Sequence, residues 1–81
     1  MEIYIIIINN EVIYAYGNPK AMNRKYNSIC DHLERNGYYC SDFTHGEDVP
    51  FYSGFDTNMT LEHPITKNKF VISTRKIHLY I

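Results

Sequence analysis

The seven residues from Glu2 to Ile8 include five isoleucines and show no helical period. This pattern predicts a β-strand, because β-branched side chains fit a pleated sheet better than a helix. Asn9 and Asn10 follow, both tolerant of the left-handed turn conformation, and Val12 to Tyr16 reads as the returning strand. With Asn9 and Asn10 as a two-residue turn, Ile8 faces Glu11, Ile6 faces Ile13 and Tyr4 faces Ala15. Ile7, Ile5 and Ile3 then meet Val12, Tyr14 and Tyr16. The first strand is apolar on both faces, as expected of a central strand or of one with a second layer over it.

The period then changes. Gly17, Asn18 and Pro19 form a helix-start signal, with Asn18 as the cap and Pro19 at the first helical position. Met22, Tyr26, Ile29 and Leu33 recur at steps of four, three and four, with Cys30 beside them. The spacing predicts an amphipathic helix over Pro19 to about Asn36, stopped by Gly37 in a left-handed conformation. Tyr38 to Phe43 reads as a third strand. Met59 to Thr66 and Lys69 to Thr74 read as a second hairpin around Lys67 and Asn68, with Pro64 placing its strand at an edge or a bulge. Phe70 and Ile72 lie in one alternation frame and Ile77, Leu79 and Ile81 in the other. That predicts a bulge or bend near Arg75 and Lys76, with a further strand at the end of the chain.

The expected fold is therefore one α+β domain over residues 1–81, in the order β-β-α-β-loop-β-β with a terminal strand as an option. A mostly antiparallel sheet of four to six strands carries one helix on one face. Composition agrees with a folded chain: 44% of the 81 residues are hydrophobic and 21% charged, away from the profile of disordered sequences. A chain this short buries only about 60 to 65% of its unfolded surface, so the eight Tyr and four Phe must supply much of the core.

Charge narrows the function classes. The formal net charge of −1 gives no overall attraction to a polyanion. Two cysteines fall short of the disulfide framework of a small secreted domain, and no stretch reads as a leader or a spanning helix. The expected location is cytoplasmic, with no membrane partner. Cys30, His32, Cys40, His45, His63 and His78 lack the paired spacing of a zinc site. No nucleophile elbow, phosphate loop or paired-carboxylate motif occurs, so neither catalysis nor a cofactor is expected.

The sharpest compositional break lies in the middle. No Lys or Arg occurs between Asn36 and Thr66, while Asp42, Glu47, Asp48, Asp56 and Glu62 all do. Phe51, Tyr52 and Phe55 share this segment, and the long connection from Thr44 to Asn58 exceeds the usual loop length. Rings in a long connection serve as binding anchors or fold back over the core. The expected partner-binding residues are Asp42, Glu47, Asp48, Phe51, Tyr52, Phe55 and Asp56, against a protein with a basic surface. Two basic groups offer an alternative. Lys20, Arg24 and Lys25 sit early in the helix, and Lys67, Lys69, Arg75 and Lys76 lie near the second hairpin. Together they are candidate anion or nucleic-acid contacts. Self-assembly through apolar strands, giving a homo-oligomer, is the third option.

The opening hairpin, the Gly17-Asn18-Pro19 helix start with Lys20-Ala21, and the Gly37-Tyr38-Tyr39 exit resemble the first half of many small phage-encoded accessory proteins. The resemblance spans about residues 1 to 43 and lies in architecture and composition. Some proteins of that kind bind and block host enzymes or antiviral complexes, anti-CRISPR proteins among them. It implies an inhibitor or modulator that acts by surface contact in the host cytoplasm, and it assigns a role to no single residue.

Overall fold

The computed structural model describes residues 1–45 and 56–79. Five strands and one helix follow in the order β1 (Glu2–Ile8), β2 (Glu11–Tyr16), α1 (Pro19–Arg35), β3 (Tyr39–His45), β4 (Thr57–Glu62) and β5 (Lys69–His78). All neighbouring strands are antiparallel, in the spatial order β2-β1-β5-β4-β3. The helix packs on one face of this sheet, giving the expected α+β fold.

Local chemistry accounts for the turns. Asn9 and Asn10 adopt φ of 50° and 69°, the two positive angles of a primed hairpin turn. Asn9 also reaches β5: its N–H donates to the Val71 carbonyl at 2.9 Å, and its Oδ1 accepts the Val71 N–H at 3.0 Å. At the helix start, Asn18 Oδ1 accepts the Lys20 N–H at 2.7 Å, satisfying one of the donors that a first turn leaves free. At the helix end, Gly37 has φ of 91° and its N–H donates to the Glu34 carbonyl, while the Tyr38 N–H donates to the Leu33 carbonyl. Those two bonds form the Schellman stop.

The core lies between the helix and one sheet face. Ile6, Met22, Leu61 and Ile72 are fully buried together, flanked by Tyr4, Ile8, Tyr14, Tyr16, Tyr26, Ile29, Leu33, Tyr38, Met59 and Phe70. The helix stripe expected from its spacing supplies Met22, Tyr26, Ile29 and Leu33. At one end the core is closed by a polar pair: the hydroxyls of buried Thr57 and Thr74 lie 2.7 Å apart, and Thr74 Oγ1 also accepts the Thr57 N–H.

Three expectations about strands are corrected. First, the hairpin register holds only as far as Ile7 with Val12, and then Ile6 meets Tyr14, Ile5 meets Ala15 and Tyr4 meets Tyr16. Ile13 is the extra residue of a bulge. Because strand side chains alternate, one inserted residue turns Tyr14 and Tyr16 to the helix side, where both join the core.

Second, no bulge lies near Arg75 and Lys76. From Ile72 to His78, β5 pairs residue by residue with β1, and it takes in Ile77 and His78, so no separate strand follows among the described residues. The change of alternation frame marks a change of face. Phe70 and Ile72 face the helix, and Ile77 faces away beside Ile3.

Third, Pro64 does not set an edge. It lies beyond the end of β4, an interior strand between β5 and β3. There the His63 N–H donates to the Asn68 carbonyl, and His63 Nδ1 accepts the N–H groups of Ile65 and Thr66 at 3.2 Å. Proline costs nothing at a position outside the ladder.

Candidate functional site

α1 covers one face of the sheet, and among the described residues no further element covers the other. Register places Ile3, Ile5 and Ile7 of β1 on this face, beside Val12 and Ala15 of β2 and Ser73, Arg75 and Ile77 of β5. Ile5 at its centre is only 6% exposed, whereas Val12 is 60% and Ile77 41% exposed. The β1, β2 and β5 end of this face is thus mainly aliphatic, with a buried centre at Ile5, exposed Val12 and Ile77 at its rim, and Ser73 and Arg75 set among the isoleucines. Val71, exposed and in register with Thr60 of β4, extends it toward β4.

The β4 and β3 end of the same face is polar. Asn58, Thr60 and Glu62 of β4 lie beside Thr44, Asp42 and Tyr39 of β3. Arg75 ties the two ends together: its guanidinium donates to the Thr57 carbonyl at 2.9 Å, the Thr74 carbonyl at 2.7 Å and Asn58 Oδ1 at 2.9 Å. Ser73 Oγ donates to the same Asn58 oxygen at 2.8 Å. Asp56, with φ of 59°, holds a carboxylate oxygen 3.9 Å from the Arg75 guanidinium. Neither Asp42 nor Glu62 forms an ion pair with a described residue, although Glu62 lies opposite Lys69 in register.

Both edges of the sheet are interrupted. Ile13 bulges out of β2, and the register of β3 with β4 shifts between Cys40 and Asp42, leaving Ser41 as the extra residue there. Bulges on edge strands break the regular row of backbone donors and acceptors that an added strand would need.

Of the residues expected from the sequence to bind a partner, Asp42 stands exposed on edge strand β3 and Asp56 pairs with Arg75. Glu47, Asp48, Phe51, Tyr52 and Phe55 lie outside the described residues. The basic residues are dispersed. Lys67 is in the turn with φ of 64°, Lys69 and Arg75 share the open face, and Lys76 points to the helix side within 4.0 Å of Glu2. On α1, the Lys25 ammonium sits 4.7 Å from the centre of the Tyr14 ring. Arg24 borders a polar depression with Asn27, Ser28, Asp31, His32 and Arg35.

Cys30 and Tyr26, both on the helix stripe, are shifted. Burial, more than anything else, pushes the Cys30 thiol up to about 11, and nearby Glu34 and Asp31 add to the shift against a hydrogen bond from Tyr26. Burial likewise raises the Tyr26 phenol. Both contact Met59 Sδ, Tyr26 Oη at 3.8 Å and Cys30 Sγ at 3.9 Å. A protonated thiol beside a thioether is packing material, since only the thiolate is a nucleophile. No group of three or more His, Cys, Asp or Glu side chains suited to a metal ion occurs among the described residues. No helix there is long and apolar enough to cross a membrane.

Pattern reading offered the apolar strands for self-assembly but named none of the aliphatic residues of the open face as a site. Its signal was present twice, in the two apolar faces of β1 and in the frame change along β5, but each has another reading until register shows that the two meet at Ile3 and Ile77. No protein-family model, curated protein or solved structure matches the chain.

Proposed function

We propose that this chain is a small protein-binding module that works by surface contact, docking a partner protein on the open face of its sheet. The observation that carries the reading is the aliphatic surface built from Ile3, Ile7, Val12 and Ile77 around buried Ile5, on the face away from α1. Contiguous apolar surface with a polar border is the usual form of an interaction site. The border selects the partner's chemistry. Asp42 lacks an ion-pair partner among the described residues, Glu62 has only Lys69 opposite it in register, and Arg75 is already bound by three acceptors and Asp56. The partner is thus one that offers apolar side chains next to a basic rim, and the acids steer it into place. The bulged edges favour docking on the face over strand addition.

The resemblance to phage-encoded accessory proteins makes host enzymes and antiviral complexes the partner class to test, with this protein acting as inhibitor or modulator. The acidic aromatic segment with Glu47, Asp48, Phe51, Tyr52 and Phe55 belongs to the same proposal as a second contact.

The test is capture from a host lysate followed by titration with the purified captured protein. Three forms of the chain are compared: wild type, Val12→Asp with Ile77→Asp, and Phe51→Ala with Tyr52→Ala. Loss of binding in the Val12 and Ile77 variant, with the thermal midpoint kept, is the expected result. Binding lost only in the Phe51 and Tyr52 variant moves the site to that segment. A wild-type dimer by light scattering, converted to monomer by the Val12 and Ile77 changes, assigns the face to a second copy and overturns the hetero-partner reading.

A further inference from the structure

Opposite the open face, the helix and the sheet do not close completely. A cleft of about 330 Å³ lies between α1 and the hairpin end of β1, β2 and β5. Ile8 and Ile72 form its floor, the Tyr14 and Phe70 rings and Ile29 its walls. Gaps inside a well-packed domain are mostly smaller than a water molecule, and this volume lies at the lower end of small-molecule sites. Most of its lining is apolar.

The polar groups gather at the mouth. Lys25, Ser28 and His32 stand there at helical spacing, with Ser28 and His32 shared with the adjoining depression that Arg24 and Arg35 border. Asp31 is the one carboxylate lining either space. Lys25 makes no ion pair with a described residue, and its ammonium is held over the Tyr14 ring at the lip of the cleft. An apolar cavity with a few convergent polar groups at one end orients a ligand by its head, and this head must be negative.

We propose that the cleft binds an amphipathic carboxylate whose tail lies on Ile8, Ile29, Phe70 and Ile72 and whose carboxylate meets the Lys25 ammonium, with the Ser28 hydroxyl as a further donor. At about 30 Å³ per non-hydrogen atom, the volume share of a liquid water molecule, the cleft accommodates about eleven such atoms. That matches a medium-chain fatty acid or an aryl-alkanoate. This site goes beyond the protein-binding reading and is independent of it, because the two use opposite faces of the sheet.

The experiment is a titration of the isotope-labelled full chain with octanoate, followed by amide chemical shifts, and in parallel with octylammonium, which has the same tail and the opposite charge. Octanoate should shift the amides of Ile8, Tyr14, Ile29 and Phe70 to saturation. Octylammonium should bind about tenfold more weakly, and Lys25→Met should weaken octanoate by about the same factor, the scale of one charge-assisted hydrogen bond. Ile29→Trp, which fills the cleft, should abolish the shifts. Equal binding of the two probes, or octanoate binding unchanged in Lys25→Met, overturns the anion assignment. Shifts confined to the open face, or none that saturate, overturn the site.

Discussion

Cys30 shows how one side chain reports its surroundings. Its position on the helix stripe puts the sulfur against Met59, and burial there disfavours the thiolate. Above its ordinary value of 9.0 the thiol ionises in the unfolded chain, while in the folded chain it stays protonated up to about 11. Over that window the unfolded state binds fewer protons, so stability falls as pH rises. Urea midpoints measured from pH 8 to pH 11 should decline, and Cys30→Ala should flatten part of the decline, the raised Tyr26 and Tyr4 phenols contributing at its upper end. An equally steep curve in Cys30→Ala would remove the thiol from the account.

At the scale of elements, the glycines on either side of α1 do different work. Gly37 ends the helix at a φ of 91°, and a Cβ built there would lie 3.0 Å from His63 Nε2, the ring whose other nitrogen caps the β4-β5 turn. Tyr38 packs edge-on against the same ring, with centres 5.2 Å apart. Helix stop and hairpin turn thus share one contact. Gly37→Ala should cost about 1–2 kcal/mol through the left-handed backbone alone, and each kcal/mol lowers Tm by about 4–8 °C in a chain this size. Gly17 meets nothing within 4 Å, so Gly17→Ala should leave Tm nearly unchanged. A reversed order in thermal scans would refute this division of roles.

The charge pattern belongs to the whole molecule. Lys67, Lys69, Arg75 and Lys76 are close in sequence, yet strand alternation sends Arg75 and Lys76 to opposite faces, and both have acidic neighbours in Asp56 and Glu2. Each phosphate contact to duplex DNA contributes about 0.9 to the slope of log affinity against log salt. Dispersed cations should give a slope no greater than about two when labelled duplex and single-stranded nucleic acid are titrated by fluorescence anisotropy. A slope of about five or more would require a basic surface assembled from residues that this fold separates.

What could be read along the chain was what depends on near neighbours. The Asn9-Asn10 turn, the Asn18 cap, the Met22 to Leu33 stripe and the Gly37 stop are decided within a few residues, where backbone sterics and local hydrogen bonds act, and all are present. The number and kind of elements followed from them. Other features needed partners distant in sequence. The bulge at Ile13 turns Tyr14 and Tyr16 into the core beneath α1, and that core is built from residues distant in sequence that no local pattern shows. Likewise, Ile77 looked like a break in β5 until pairing with Ile3 showed it to be the far rim of an aliphatic surface. Periodicity tells a residue which neighbours share its face. Only the assembled sheet decides whether that face lies against the helix or on the side away from it.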